Sequence, residues 1–361
     1  MLNFIHHDML ISGICTALPG NKKSAENFKE RFGNQLVNEN IKKLGFLASR
    51  ISIAEQTASD LGFEAVKNIF DKKNIDPDEV GFVVTVTRTP DYRSPATSTV
   101  LHYRLGLSKD CICYDMNIGG AGFIYGLNAG LALLENINKN YGVLIIGDTT
   151  SKLIDKQDPL SMHFSDGASA VLLNKSPGIG NKIDISTAAN GHLFQTIINS
   201  GGAFRNYIPI DNDALNIDHS SDQDKLCIDE AEFQKISKTV IPDAINKYLA
   251  AREKNISKYD LLAIHQETKD IIEHISRKLD FDAAMLIGNL MKYGNTVGNS
   301  IPMVLTDVYG KTSGGEIDVL ACGYGEGLSW GIADFKINVS NIFPLIETNN
   351  YFSEVAVSHD F

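Results

Sequence analysis

The chain has 361 residues, of which 43% are hydrophobic and 21% are charged, and its formal net charge is −11. This composition is sufficient for a large buried core and excludes the disordered, collagen-like and coiled-coil classes. An acidic chain without a cluster of Lys and Arg is a poor partner for nucleic acid. The five cysteines include no Cys-x-x-Cys pair, which excludes a zinc finger or a thioredoxin-like motif and predicts reduced thiols in the cytoplasm.

The predicted elements alternate between strands and helices, which indicates an α/β fold with a mixed sheet. In chain order we predict a strand at 10–18, a polar helical or loop segment at 21–50, a helix at 52–75, a strand at 81–86, a helix at 96–106, strands at 111–116, 142–147 and 164–173, a helix at 230–252, a strand at 261–264, helices at 268–279 and 298–309, and strands at 316–320 and 331–337.

One uncharged run has nearly the length of a membrane span. Residues 116–134 carry no formal charge, but the run contains Asn117, Asn128 and five glycines. These residues weaken a membrane-spanning helix, so we predict a buried helix in a soluble core and no membrane partner. The first residues of the chain have no basic segment before the apolar stretch, so a secretory signal is not expected.

The chain contains an approximate internal repeat. Residues 111–147 and 287–323 each run through a strand, a turn of small residues, a buried helix and a second strand. This repetition predicts two similar halves, 1–180 and 181–361. The polar, irregular residues 201–229 are predicted to be an insertion in the second half.

Several motifs follow one another along the chain, at residues 89–97, 115–127, 164–170, 264–266, 293–296 and 323–331. In their order and spacing they resemble β-ketoacyl-acyl-carrier-protein synthase III, a condensing enzyme with the thiolase fold. The resemblance implies a duplicated five-layer α-β-α-β-α sandwich with mixed sheets. It also implies a dimer, made either of two copies of this chain or of this chain and an active homologue.

The resemblance also implies a Cys–His–Asn active site at the N-terminus of a buried helix. In the family the Cys accepts an acyl group, and the His and Asn stabilise the enolate that forms when a malonyl thioester loses carbon dioxide. His265 and Asn295 match the last two residues. The nucleophile position falls on Gly120, which has no side chain to acylate, and the following Ser position is Ala121.

The missing nucleophile leaves several hypotheses open. The leading one is decarboxylation or direct acyl transfer without an acyl-enzyme, with His265 as base and backbone N–H groups of Gly120 and 325–327 as an oxyanion hole. The second is an inactive partner subunit of an active homologue. The third is an engineered Cys-to-Gly variant of an ordinary synthase. A substitute nucleophile, Cys111 or Cys113, is the weakest hypothesis, because both residues are expected to pack against the sheet.

The substrate is predicted from the same resemblance. It implies acyl and malonyl thioesters of coenzyme A or of an acyl carrier protein, and no separate cofactor or metal. Ser94 stands near the place where the family often has a Phe, which implies a wider acyl pocket. The chain's single Trp, Trp330, is not in the family's adenine-binding helix, so we expect weak coenzyme A binding. The other candidate substrate-binding residues are Phe123, Gly325 and Gly327. His163 is interpreted as an ordinary strand residue.

Overall fold

The computed structural model describes residues 1–199, 205, 226–282 and 284–353. The strands are β1 (Leu2–His7), β2 (Met9–Pro19), β3 (Lys22–Ser24), β4 (Ala48–Arg50), β5 (Val80–Val86), β6 (Ile112–Met116), β7 (Tyr141–Asp148), β8 (Gly167–Lys175), β9 (Lys182–Ala189), β10 (Ile197–Asn199), β11 (Leu226–Ile228), β12 (Leu261–Ile264), β13 (Glu316–Gly325), β14 (Ser329–Asn338) and β15 (Ile346–Thr348). The helices are α1 (Glu26–Leu44), α2 (Ala58–Lys73), α3 (Thr97–Leu105), α4 (Gly122–Asn136), α5 (Glu230–Ala250), α6 (Lys269–Leu279), α7 (Ala284–Tyr293) and α8 (Ser300–Tyr309).

Two large mixed sheets organise the molecule. The six-stranded sheet has the order β15-β2-β8-β7-β5-β6, and the five-stranded sheet has the order β1-β9-β14-β13-β12. In the first sheet β5 pairs parallel with both β6 and β7, and in the second β12 pairs parallel with β13. Since the carboxyl ends of parallel strands gather functional residues, β6 and β12 are placed to carry a site.

The helices form three layers around these sheets. Helices α4 and α8 contact both sheets and therefore form the central layer, while α2 and α3 cover the outer face of the six-stranded sheet. Helix α5 packs against the other sheet and against α6. This order gives the predicted α-β-α-β-α sandwich, in which each sheet is covered on both faces and its central strands are continuously apolar.

The uncharged run at 116–134 lies in the centre of the molecule. It spans the end of β6, a short turn and most of α4, and every third or fourth residue of α4 is fully buried. This confirms the predicted buried helix. Within the described residues no helix is both long and apolar enough to cross a membrane.

The two halves exchange their chain ends. Strand β1 from the N-terminus pairs antiparallel with β9 in the five-stranded sheet, whereas β15 near the C-terminus pairs parallel with β2 in the other sheet. The division at residue 180 therefore stays a prediction about sequence repetition. Most of the predicted insertion, residues 201–204 and 206–225, lies outside the described residues.

Some predicted boundaries were wrong for local reasons. The helix predicted at 52–75 begins at Ala58, because Asp60 accepts a hydrogen bond of 2.8 Å from the N–H of Thr57 and so caps the helix. The strand predicted from residue 164 begins at Gly167. The strands that were not predicted are β1, β3, β4, β9, β10, β11 and β15. Residues 287–293, where the predicted repeat has a strand, belong to helix α7.

Candidate active site

His265 lies directly after β12 and is buried. Its backbone N–H donates to the carbonyl of Cys322 on β13 at 2.9 Å, which holds the residue in line with the sheet. The imidazole Nδ1 is 2.9 Å from the hydroxyl of Ser300 at the start of α8. The opposite nitrogen, Nε2, faces Gly120: a Cβ placed on Gly120 would lie 3.0 Å from it. The fold therefore brings these two predicted site residues together.

Asn295 meets the same site from the turn between α7 and α8. Its Oδ1 accepts a hydrogen bond of 2.8 Å from the N–H of Val297, which fixes the orientation of the amide. With the amide held this way, Nδ2 lies 3.2 Å from Oε2 of Glu267. The turn also pairs with the segment before β8, where Phe164 forms a β-bridge with Asn295.

Glu267 joins His265 and Asn295 through one carboxylate. Its Oε2 lies 3.0 Å from His265 Nε2 and 3.2 Å from Asn295 Nδ2. Its Oε1 lies 3.5 Å from Nε2 of a further histidine, His163. Burial by itself would raise the pKa of Glu267, but hydrogen bonds and positive charge from His163 and His265 hold that pKa well below its usual range. The carboxylate is therefore ionised at neutral pH.

The interpretation of His163 as a strand residue was wrong. It follows a short 3-10 turn at Pro159–Met162, before β8 begins, and is 3% exposed. Its Nε2 lies 3.2 Å from Asn295 Nδ2. His163 is thus a member of the site that the sequence did not identify.

Gly120 lies in the turn that leads into α4, and its surroundings leave no room for a side chain. A Cβ at this position would lie 2.0 Å from the carbonyl oxygen of Tyr324, a contact that no folded chain tolerates without moving the backbone. The N–H of Gly120 donates to Glu326 Oε2 at 3.2 Å. Gly119 permits this approach, since a Cβ there would lie 2.1 Å from the same oxygen.

Glu326 occupies the position expected of an oxyanion. Its carboxylate lies at the N-terminal end of α4, where the helix dipole favours negative charge. Arg88 pairs with the other oxygen of Glu326 and also donates its backbone N–H to Asp148 Oδ1 at 2.7 Å. Burial would lower the pKa of Arg88, but the carboxylates of Glu326 and Asp148 raise it, so the guanidinium stays charged.

The space at this site is small, while an adjoining groove is large. The cavity between Gly120, His265, Asn295 and Gly325 holds about 10 Å³ of solvent-accessible volume, room for about one water molecule. The groove beside it holds about 520 Å³. Phe164 lines both spaces and separates them. The groove is also lined by four cationic side chains, Lys23, Arg31, Lys152 and Lys156.

The remaining candidates do not converge on the site. Ser94 is exposed on the surface, and Phe123 is fully buried in the core with its ring centroid 6.4 Å from that of Phe335. Of the two candidate glycines only Gly325 lines the cavity, and Gly327 lies in the following turn. The roles of Ser94, Phe123 and Gly327 in substrate binding stay predictions.

Sequence reasoning missed four polar residues of the site. Glu267 was not singled out in the sequence, and Arg88, His163 and Glu326 gave no spacing signal. Arg88 and Glu326 are 238 positions apart and meet only in the fold. Glu267 lies two residues after His265, and a carboxylate so close to a proposed catalytic histidine was the one signal that could have been used.

The comparisons with known proteins agree with the motifs. The sequence profile of 3-oxoacyl-[acyl-carrier-protein (ACP)] synthase III matches residues 114–191, and the profile of its C-terminal part matches residues 249–337. β-Ketoacyl-[acyl-carrier-protein] synthase III of Rhodopirellula baltica is 30% identical over 312 residues, covering 82% of this chain and 89% of the relative. The same enzyme of Clostridium novyi is 28% identical, covering 82% and 93%.

The solved structures confirm the predicted thiolase-like fold. A 3-oxoacyl-(acyl-carrier-protein) synthase from Burkholderia xenovorans superposes with a TM-score of 0.86 and 26% identity, covering 96% of this chain and 99% of the other. The priming β-ketosynthase of the R1128 polyketide pathway has a TM-score of 0.78 at 19% identity, covering 94% and 97%, and supports the fold alone. The chain therefore belongs to the β-ketoacyl-acyl-carrier-protein synthase III family.

Proposed function

We propose that this protein is a subunit that does not itself condense acyl groups and that works in complex with an active synthase III homologue. Gly120, at the position that the motif resemblance assigns to the family's nucleophile, carries the proposal. It has no side chain, and the carbonyl of Tyr324 fills the place where a Cβ would stand. An acyl-enzyme cannot form there, and the surrounding backbone fits glycine. The fit also argues against an engineered Cys-to-Gly variant.

The hydrogen-bond donors of the site support the same proposal. The imidazole of His265 and the amide of Asn295 both face the carboxylate of Glu267, and the N–H of Gly120 faces Glu326. In the family these groups would stabilise the negative charge of a thioester enolate. Here the protein's own carboxylates occupy these donors, and about 10 Å³ of free space remains in the cavity.

Charge repulsion disfavours decarboxylative chemistry beside Glu267. An enolate oxygen about 4 Å from this carboxylate is opposed by about 4 kcal/mol at an effective dielectric constant of about 20. A difference of that size lowers a rate by about a thousandfold. The arrangement that stabilises the resting site therefore works against the family's transition state.

The cationic groove supports retained binding of a phosphopantetheine arm. Lys23, Arg31, Lys152 and Lys156 line about 520 Å³ in a chain of net charge −11, so the positive charge is local. Lysine and arginine side chains are the usual partners of a phosphate group. We propose that the subunit holds a carrier-bound or coenzyme A thioester here without reacting with it. Titration of the protein with acetyl-coenzyme A tests this proposal, and it also tests the expectation of weak coenzyme A binding that was drawn from the missing Trp.

Strand β6 supports association with a second chain. It forms one edge of the six-stranded sheet, and Ile112 on it is 41% exposed. An unpaired edge with an exposed apolar side chain offers its backbone N–H and C=O groups for pairing with another strand. Either a second copy of this chain or an active homologue can pair in this way.

Co-expression tests the proposal. We expect a tagged synthase III homologue from the same organism to co-purify with this chain and to condense faster with it. Ile112→Lys should abolish co-purification, whereas Ile179→Lys, at an exposed turn, should not. Failure to co-purify, or condensation unaffected by the second chain, would contradict the proposal.

Direct chemistry by His265 is the second candidate function, and one observation favours it. His265 Nε2 and Asn295 Nδ2 converge on a single oxygen of Glu267, at 3.0 and 3.2 Å, which is where a thioester carbonyl oxygen would bind. If substrate displaces the carboxylate of Glu267, the two donors become available to the thioester carbonyl oxygen. Glu267→Ala should then raise thiol release from acyl thioesters, and His265→Ala added to it should remove the gain. Equal rates in all variants would exclude this function.

A further inference from the structure

Two cysteines and a histidine lie together on the outer side of the six-stranded sheet, away from the site described above. Cys113 is in β6, and Cys111 immediately precedes that strand. Residues two apart on a strand project to the same face, so both thiols point to one side. His102 reaches them from the last turn of α3, which packs against β6.

The three ligand atoms are close enough for one ion. One side-chain nitrogen of His102 and the two Sγ atoms all lie within 4.8 Å of one another, and all three residues are half-buried. Neither cysteine is in a disulfide in the structure. A disulfide between them is disfavoured, because residues two apart on a strand have Cα atoms about 6.8 Å apart, the upper limit for such a bond.

The imidazole is held as metal-binding histidines usually are. His102 Nε2 lies 2.9 Å from the backbone carbonyl of Ser108, an acceptor that requires a proton on Nε2. With that proton in place, Nδ1 keeps the lone pair available to a cation. A hydrogen bond from the second ring nitrogen to a carbonyl is the common outer contact of metal-bound histidine.

A cation bound here displaces the protons of both thiols, because the thiolate is the form that ligates a metal.

From this geometry we infer a zinc site formed by His102, Cys111 and Cys113. Two thiolates and one imidazole suit Zn²⁺, which binds four ligands in a tetrahedron. The chain supplies three of them, and water completes the fourth position. The sequence predicted no metal site, because the histidine is nine residues from the nearer cysteine and its spacing matches no zinc motif.

Metal loading of the full chain tests this inference. The protein is reduced, stripped with chelator, incubated with Zn²⁺ or Co²⁺ and passed through gel filtration before metal analysis. We expect one equivalent of Zn²⁺ and, with Co²⁺, a thiolate-to-cobalt charge-transfer band of tetrahedral type. Cys113→Ser and His102→Gln should each lower affinity more than about 100-fold, beyond the roughly 10–100-fold effect of losing an outer contact. The exposed Cys227→Ser is the matched control.

The opposite results would overturn the site. Loss of all metal on gel filtration, or equal retention by wild type, Cys113→Ser and His102→Gln, would show adventitious binding only. A Cys111–Cys113 disulfide in protein purified with reductant would also overturn it. Thermal unfolding in chelator, measured for each variant, separates a lost ligand from a lost fold.

Discussion

At the scale of single residues, Gly120 decides what the site can do. Its Cβ position is taken by a backbone carbonyl, and its N–H is taken by Glu326. A backbone carbonyl cannot rotate away as a flexible side chain can. The backbone around position 120 therefore requires a glycine there.

A cysteine placed at position 120 tests this requirement. We expect Gly120→Cys to lower the free energy of unfolding by about 1–3 kcal/mol, the typical range of an overpacked core site, and to remain unacylated. Urea unfolding under reductant and intact mass after incubation with acyl-coenzyme A measure the two effects. Gly191→Cys is the control, since a Cβ there meets no atom within 4 Å. A stable Gly120→Cys protein that accepts an acyl group would contradict the account.

The lowered pKa of Glu267 predicts how the free energy of unfolding changes with pH. The pKa of its carboxyl is lower in the folded chain than its ordinary value of 4.5. Such a group stabilises the fold above pH 4.5, and the contribution is lost as pH falls through the folded-state pKa. The excess stability of wild type over Glu267→Gln should therefore shrink between pH 5 and about 3, measured by urea unfolding. Glu30→Gln, at an exposed position, is the control. A difference in unfolding free energy between wild type and Glu267→Gln that grew on acidification would contradict this prediction.

His265 and Asn295 could be predicted from the sequence because each lies in a short motif with a family resemblance. The residues that surround them in the site could not be predicted in this way. Glu326 and His163 reach the site through contacts across more than a hundred positions, and no local pattern encodes such a contact. The contacts between the donors of the site and the protein's own carboxylates therefore could not be predicted from the sequence.

At the scale of elements, Arg88 connects three strand ends. It follows β5, pairs with Glu326 in the turn between β13 and β14, and lies beside Asp148 at the end of β7. The pair links the two sheets across the N-terminus of α4. Asp148 is buried, and burial raises the pKa of its carboxyl while Arg88 opposes the rise.

We expect removal of the Arg88 guanidinium to lower the free energy of unfolding. Arg88→Met leaves two carboxylates without their cation, and breaking a buried pair costs about 3–5 kcal/mol of unfolding free energy. Adding Glu326→Gln should recover part of the loss, because one of the orphaned charges is then absent. Lys43→Met breaks the pair with Glu230, whose side chains are 49% and 52% exposed, and should cost under about 1 kcal/mol. Equal costs for the two single variants in urea unfolding would refute the structural role of Arg88.

The elements themselves were largely predictable where the apolar pattern is strong. Strand β7 is buried along almost its whole length and was predicted to within one residue at each end. Helix α4 was predicted within the uncharged run 116–134, but it begins at Gly122 and ends at Asn136. Strand β1 was missed because four of its six residues are exposed, so its apolar alternation is weak. Its position depends on pairing with β9, 180 residues away in the chain.

At the scale of the whole molecule, the duplicated sandwich places the two motif halves against each other. The turn before α4 comes from the first half, while His265, Asn295 and the turn at 325–327 come from the second. The family resemblance of the motifs, together with the weak repetition, was enough to predict this architecture. The exchange of chain ends between the sheets was not predictable, because β1 and β15 stand outside the repeated units.

The central claim is that the folded chain alone does not process thioesters. The most direct test incubates the purified protein with malonyl- and acyl-thioesters of coenzyme A and of acyl carrier protein, and measures thiol release, carbon dioxide and intact mass. The account predicts no covalent adduct and a rate equal to that of His265→Ala and of buffer, with His192→Ala, an exposed histidine, as control. Turnover by the wild type that His265→Ala abolishes and His192→Ala preserves would contradict it and assign the chemistry to this chain.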